Sequence, residues 1–197
     1  MRLTAASVTD LLAAFRSSEP TPGGGSAAAL AGAVGASLLS MVAGLPKPKA
    51  TTPEDVERLR DAGGRCTALA LRLEALIDED SDAYDLVVTA FRMPKGNEEE
   101  KAARTAGIQR ALTVATETPL LVMRHGAEAL AIAPAIGALG NSNASSDVQV
   151  AVELLRASLR GAQANVEINL GSLKDAEYAA RVRTETARLV AAANEPG

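Results

Sequence analysis

The apolar positions in the first half of the chain recur at helical spacing and are interrupted by capping residues, prolines and glycines. Capping side chains predict three helix starts in this half, at Ser7, Ser26 and Thr52. The segment 52–55, Thr-Pro-Glu-Asp, is typical of a helix start because a capping hydroxyl, a proline and two carboxylates follow one another. The second of these helices is expected to end near Gly44. The third runs to about Met93, with a kink or a break at the glycine pair 63–64.

The second half of the chain continues the helical pattern and is divided by prolines. Pro119 is expected to start a helix and Pro134 to end one, because proline lacks the N–H that a helix interior needs. The helices predicted here are 97–117, 119–133, 146–170 and a last one that starts in the capping-box-like segment 172–175. We find no confident strand, internal repeat or linker in the sequence. It therefore predicts one all-α, multihelical domain over residues 1–197.

Composition strengthens the all-α prediction and narrows the range of partners. Alanine makes up 41 of the 197 residues and aromatic residues only 2%, and alanine favours helices over strands. Residues 20–46 carry no charge, yet they are largely Gly, Ala and Ser, so a buried helix is predicted rather than a membrane span. The net charge of −4 comes from well-mixed residues, which predicts neither a nucleic-acid partner nor a basic patch for membranes.

The single Cys66 and the single His125 limit the chemistry that one chain can perform. A disulfide within the chain is impossible, which favours a reducing compartment and predicts a cytoplasmic location. A zinc site of the usual Cys/His type cannot be assembled from one chain, so no metal is expected.

Residues suited to a binding site occur in separate segments. The glycines 23–25 precede a helix, where they either bind an anion through free N–H groups or form a tight turn that needs glycine. A dinucleotide site is disfavoured because no strand is evident before them. Asp80 either belongs to an exposed acidic helix face or points inward beside Tyr84. Lys95 and Arg104 are each either solvated or part of a site.

The helix predicted over 146–170 carries a stripe of mixed polarity that runs from Asp147 through Ser158 to Asn165 and Asn169. Such a stripe suits a groove for an elongated, polar and partly aromatic ligand. Asp147 and Asn165 would lie about 27 Å apart along the helix, so one small substrate could not touch both within one subunit.

Taken together and in this order, these segments resemble the cyclodeaminase/cyclohydrolase family. This family comprises the cyclodeaminase part of formiminotransferase-cyclodeaminase and the stand-alone methenyltetrahydrofolate cyclohydrolases. The resemblance covers nearly the whole chain, and it is carried by Pro-Thr-Pro-Gly-Gly-Gly-Ser at 20–26, Asp80-x-x-Ala83-Tyr84, Pro94-Lys95, Arg104-x-x-x-Ile108-Gln109-x-Ala111, Gly140-Asn141, Ser146-Asp147, and Asn165-Val166-x-Ile168-Asn169 with Lys174-Asp175. It implies a multihelical fold, a homodimer and a folate-bound one-carbon substrate.

The resemblance also implies chemistry at the carbon that bridges N5 and N10 of tetrahydrofolate. We favour a cyclohydrolase, which converts 5,10-methenyl- to 10-formyltetrahydrofolate. The alternative is a cyclodeaminase, which converts 5-formiminotetrahydrofolate to the 5,10-methenyl form and ammonia, and which would have a formiminotransferase as its functional partner. An alternative of another class is a non-catalytic helical dimer that binds folate or acts as a scaffold.

Both reactions pass through a tetrahedral carbon and need a base for the incoming group and an acid for the leaving nitrogen. Neither requires a metal or a redox cofactor. We predict Asp147 as the carboxylate near the reacting carbon, with Asp80 as second choice, and Lys95 as a proton donor or a partner of the folate carboxylates. The residues predicted to bind substrate are Thr21, Gly23, Gly24, Gly25, Ser26, Arg104, Asn141, Asn165 and Asn169.

Overall fold

The structure is a computed structural model that describes residues 2–194. These residues form six α-helices and two short 3₁₀ helices, and none of them lies in a strand, which confirms the all-α prediction. In chain order the α-helices are α1 (Val8–Phe15), α2 (Gly24–Gly44), α3 (Pro53–Phe91), α4 (Glu98–Leu139), α5 (Ser145–Leu170) and α6 (Ala176–Asn194), and the 3₁₀ helices are Leu3–Ala5 and Ser142–Ala144.

The four long helices α2 to α5 form a bundle around an aliphatic core. Helix α2 packs against α3 and α5, and α4 packs against the same two helices, so the order around the bundle follows the chain. Helix α6 lies against α4 and α5, and the 3₁₀ helix Leu3–Ala5 lies against α3. The fully buried side chains of the core include Leu39, Leu73, Leu76, Leu120, Met123, Ile136 and Leu155.

Small residues let α2 come close to its neighbours. A Cβ on Gly35 would lie 2.8 Å from Leu155 Cγ, and a Cβ on Gly32 would lie 2.7 Å from Ser158 Oγ, both on α5. By length and composition alone, α2 and α4 could each cross a membrane. In the structure both helices pack within the bundle, and 44% of the apolar window of each helix is buried there.

Three of the predicted helix starts are confirmed by a side-chain cap, and two are corrected, at Ser26 and at Pro119. At three starts a side-chain oxygen accepts a hydrogen bond from the backbone N–H three residues later, and these caps are Ser7, Thr52 and Asn97. The prediction that Ser26 caps the second helix is wrong. Helix α2 begins at Gly24 with Gly23 as its N-cap, and Ser26 lies in the first turn, where its hydroxyl bonds to α3 instead.

Helix α4 continues through both of its prolines, so the prediction of two separate helices is wrong. Pro119 has no N–H to offer the carbonyl of Ala115, four residues earlier. Asn169 of α5 supplies the missing donor, since its Nδ2 donates to Ala115 O at 2.7 Å. Helix α4 also continues through Pro134, next to Ala133, which is buried in the core.

Helix α3 also continues without interruption through the glycine pair 63–64, where a kink or a break was predicted. Gly63 is buried against α2, and a Cβ there would lie 2.8 Å from Ala43 Cβ. The glycine therefore serves the close approach of two helices rather than the end of one.

Candidate functional site

A cavity of about 310 Å³ opens where the N-terminus of α2 meets α3, α4 and α5. Its polar side comes from the segment before α2 and from three side chains of α3 and α5. Of the residues predicted from the sequence to form a site, it brings together Thr21, Gly23, Gly24, Gly25, Asp80, Asn165 and Asn169. Convergence of a few polar groups in one concave site is the usual form of a small-molecule site.

The carboxylate of Asp80 is held against the first turn of α2. Its Oδ2 accepts a hydrogen bond from Ser26 Oγ at 3.0 Å, and the backbone N–H of Ser26 donates to the same carboxylate. The Asp80 carboxylate also lies directly over Gly25, where the Cβ of any other residue would overlap it. The positive end of the α2 dipole therefore faces this carboxylate, which stabilises its negative charge. This contact resolves the two alternatives for Asp80, because the side chain points inward.

Burial raises the pKa of Asp80 above its usual range, and the side-chain and backbone hydrogen bonds from Ser26 offset this only in part. A carboxylate with a raised pKa is a stronger base than a solvated one. Asp80 is therefore suited to accept a proton at neutral pH.

Two amide side chains of α5 line the cavity on the side opposite α3, the helix that carries Asp80. Asn165 Nδ2 donates to Gly161 O at 2.8 Å, and Asn169 Nδ2 donates to Ala115 O at 2.7 Å. These bonds fix the orientation of both amides. Each amide nitrogen has a second hydrogen and each amide has a carbonyl oxygen, which are the groups that a polar heterocycle can pair with.

The rest of the cavity wall is apolar. Val87 and Leu112 contribute from α3 and α4, while Tyr84 and Ile168 stand at the opening, 40% and 74% exposed. The sequence spacing of Asp80, Tyr84 and Val87 already places these three on one face of α3. Ile168 was not singled out as a site residue, although an isoleucine between two asparagines of the same stripe was the available signal.

Five other predicted site residues do not line this cavity, and one of them, Ser26, contributes only through its hydrogen bonds to Asp80. Asp147 lies in the first turn of α5, about 27 Å along that helix from Asn165. Asn141 fixes a loop instead, since its Nδ2 donates to Pro46 O at 2.6 Å. Within one chain neither Asp147 nor Asn141 lines this cavity. The roles predicted for them in substrate chemistry therefore stay predictions.

Arg104 and Lys95 lie beyond the cavity, near the turn that joins α3 to α4. The guanidinium of Arg104 donates through Nε and Nη2 to Phe91 O, at 3.2 and 3.0 Å, and lies over the Phe91 ring. It lies about 12 Å along α4 from Leu112 and about 80° around the helix from it. Lys95 is exposed in the connecting loop.

Comparison with known proteins extends over nearly the whole chain. The sequence model of the formiminotransferase-cyclodeaminase family matches residues 7–188. A methenyltetrahydrofolate cyclohydrolase from Methylorubrum extorquens is 40% identical over 186 residues, which are 94% of this chain and 89% of that protein. A formimidoyltransferase-cyclodeaminase from Sus scrofa is 31% identical over 169 residues, which are 86% of this chain and 31% of that protein. The chain thus spans under a third of the length of this animal relative.

A solved structure has the same fold. The crystal structure of a formiminotetrahydrofolate cyclodeaminase from Thermotoga maritima superposes with a TM-score of 0.85, at 24% sequence identity, and the match covers 98% of this chain and 92% of that one. Together with the family match over residues 7–188 and the 40% identity to a relative of similar length, these comparisons place the chain in the formiminotransferase-cyclodeaminase family.

Proposed function

We propose that the chain is a methenyltetrahydrofolate cyclohydrolase that uses Asp80 as its catalytic base. The observation that carries this proposal is the buried carboxylate of Asp80, held by Ser26 at the wall of a cavity that also contains two oriented amides. The identity of 40% to a methenyltetrahydrofolate cyclohydrolase over 94% of this chain supports the choice of reaction.

In the proposed reaction, water adds to the cationic carbon between N5 and N10 of 5,10-methenyltetrahydrofolate. Asp80 takes a proton from that water as the new C–O bond forms, and a tetrahedral carbon results. The bond from this carbon to N5 then breaks as the added hydroxyl becomes the formyl oxygen, and its proton passes to N5. The product is 10-formyltetrahydrofolate, and the proton held by Asp80 is the one released overall. Before the attack, the negative charge of Asp80 also stabilises the cationic ring of the substrate.

The cavity supports one orientation of the substrate. We place the flat ring system between the polar side, where Asn165 and Asn169 offer hydrogen bonds, and the apolar wall with Tyr84. The elongated tail then leaves the cavity along α4. Its carboxylates would meet Arg104 and Lys95 near the α3–α4 turn, which keeps the binding role predicted for these two cations.

The cyclodeaminase reaction is the second candidate, because the animal relatives and the Thermotoga protein carry that name. Here N10 adds to the formimino carbon and ammonia leaves, so Asp80 would take the proton of N10 and return it to the leaving nitrogen. A formiminotransferase would be the functional partner in that case. The cyclohydrolase reaction has the better support because the sequence identity to the cyclohydrolase is 40%, against 31% and 24% for the animal and Thermotoga cyclodeaminases.

Three further properties belong to the same proposal. A homodimer is supported by the apolar groove between α1 and α2, where Val34 and Met41 are each 43% exposed. A cytoplasmic location is supported by the free, buried thiol of Cys66. Both reactions proceed by addition and elimination at one carbon with proton transfers that side chains can carry out, so we propose that no resident metal or cofactor takes part. Light scattering would test the dimer, and full activity after exhaustive chelation would support the last point.

The deciding experiment follows the absorbance of 5,10-methenyltetrahydrofolate with wild-type protein and with Asp80→Asn. We expect acceleration over the uncatalysed rate by the wild type, and a loss of about a hundredfold or more in kcat for Asp80→Asn. Asp61→Asn is the matched control, because Asp61 is an exposed carboxylate on the same helix and should behave as wild type.

Asp147→Asn belongs in the same experiment, since it compares the two predicted carboxylates directly. Loss of activity in Asp147→Asn with full activity in Asp80→Asn would refute the assignment of Asp80. No acceleration by the wild type would redirect the assay to 5-formiminotetrahydrofolate with detection of ammonia. Binding without turnover of either folate would support the non-catalytic alternative instead.

A further inference from the structure

A second cavity of about 530 Å³ lies behind the first turn of α2. It is separated from the substrate cavity by the segment before α2, and Thr21 lines both cavities. Its other walls come from the N-terminal segment and from α3, with three carboxylates and one hydroxyl on the α3 side, which belong to Asp78, Asp82, Asp85 and Ser81.

A chain of hydroxyl groups connects the two cavities. Ser26 Oγ lies 3.0 Å from Asp80 Oδ2 and 3.3 Å from Ser81 Oγ. Consecutive residues of a helix point about 100° apart, so Asp80 faces the substrate cavity while Ser81 faces the second one. Ser26 is 0% exposed and contacts both, so it bridges the wall between the cavities.

The proposed reaction creates a need for such a connection. Conversion of the methenyl cation and water to the neutral formyl product releases one proton overall. The substrate fills the cavity in which Asp80 lies, and it therefore stands between that carboxyl group and solvent on the substrate side. A second route from Asp80 to solvent would let the base lose its proton while the folate is still bound.

We propose that Ser26 and Ser81 form a proton relay that carries the proton released at Asp80 into the second cavity. This inference rests on the proposed function and adds two relay residues to it. Asp80, once protonated, donates to Ser26 Oγ, the Ser26 hydroxyl donates its own proton to Ser81 Oγ, and Ser81 donates its proton to water in the second cavity. Asp80 returns to its carboxylate form, and each serine keeps one proton and resets by rotation of its hydroxyl group.

The second cavity suits the exit of a proton. Burial raises the pKa of Asp78, but hydrogen bonds from Thr4 and from the backbone of Leu3 outweigh this and lower it overall, so Asp78 remains a carboxylate. Asp82 lies 3.6 Å from Arg2, and its side chain is 69% exposed to solvent. A negatively charged, open cavity attracts protons and passes them to bulk water.

The test measures kcat and KM for 5,10-methenyltetrahydrofolate in Ser81→Ala, with Ser81→Thr and Thr184→Ala alongside. Ser81→Ala removes the relay hydroxyl without touching the substrate cavity, so we expect kcat to fall about tenfold with KM unchanged. Ser81→Thr keeps a hydroxyl and should restore most of the rate. Thr184→Ala removes an exposed hydroxyl of α6 that bonds only its own helix, and it should match the wild type.

Two further measurements separate a relay from a structural role. Added imidazole should restore the rate of Ser81→Ala, because a small buffer can accept the proton that the serine no longer carries. The solvent deuterium isotope effect on kcat should be larger in Ser81→Ala than in the wild type. A proton relay predicts both results, whereas a serine that only stabilises the folded structure predicts neither.

Two outcomes overturn the relay while leaving the proposed function intact. One is a wild-type kcat in Ser81→Ala. The other is a reduced kcat that neither Ser81→Thr nor imidazole restores, which would make Ser81 a packing residue. Absence of turnover by the wild-type protein with either folate would instead overturn the proposed function, and the relay with it.

Discussion

Gly25→Ala is the sharpest test of how the structure positions Asp80. Residues 2–194 contain no glycine with a positive φ, so alanine at position 25 suits the backbone and favours the helix. The obstacle is steric, because the new Cβ would lie 2.5 Å from Asp80 Cγ. The carboxyl group would have to retreat by about 1 Å to reach an ordinary van der Waals separation.

A displacement of this size at a reacting group costs about a hundredfold in rate. We therefore expect kcat for 5,10-methenyltetrahydrofolate to fall about a hundredfold in Gly25→Ala. The helical circular dichroism and the cooperativity of unfolding should be unchanged. The loss should appear in kcat rather than in KM, since the cavity walls that hold the substrate remain in place.

Gly24→Ala is the matched comparison, because it adds the same methyl group one residue earlier. There the new Cβ would lie 3.5 Å from Asn165 Nδ2, which is an ordinary contact, so its effect on kcat should be far smaller. Gly64→Ala, with nothing within 4 Å of the new Cβ, controls for the general effect of replacing a helical glycine. A kcat for Gly25→Ala within about threefold of the wild type would refute the positioning argument.

Three other predictions concern the protonation and the stability of residues in the bundle. Burial raises the pKa of Asp80 in the folded state, so the stability contributed by the protonated side chain is lost as the pH rises through that pKa. Asp80→Asn should therefore raise the melting temperature, measured by calorimetry, at pH 7 but not at pH 3. Asn169→Leu leaves Ala115 O without its donor and should lower the free energy of unfolding by about 1–3 kcal/mol in urea titrations, whereas a loss below 0.5 kcal/mol would contradict the role of this bond. Burial raises the pKa of Cys66 to about 11, so the thiol should react with a disulfide reagent only at the rate of unfolding; rapid reaction of the native protein would oppose this.

Local signals were sufficient to predict most of the helices. Three helices are predicted from their capping residues, which are Ser7, Thr52 and Asn97. Each capping side chain accepts a hydrogen bond from the backbone N–H three residues later, a spacing that the sequence shows directly. The Gly, Ala and Ser content of residues 20–46 likewise predicts the buried helix α2. These features depend on neighbours in sequence, so no tertiary information is needed to find them.

The features that the sequence did not predict depend on contacts between residues that lie far apart along the chain. Local rules predict that Pro119 starts a new helix, and α4 runs through this position because Asn169, 50 residues later, pairs with the carbonyl of Ala115. Asp80 and Asp147 are both carboxylates on helices with mixed polarity, and the sequence favoured the latter. The contact of Asp80 with the first turn of α2 distinguishes them, and that contact joins residues 54 positions apart.

Asn169 has consequences for anyone who wishes to redesign the cavity. Its amide lines the cavity and also pairs with the carbonyl that Pro119 leaves free, so substrate selectivity and helix continuity depend on one side chain. Library screens at position 169 would discard useful variants for poor folding rather than for poor catalysis. Replacing Pro119 by alanine first would restore an N–H that can bond the free carbonyl within α4. The Asn169 amide would then no longer be needed for helix continuity, and position 169 could be varied for selectivity.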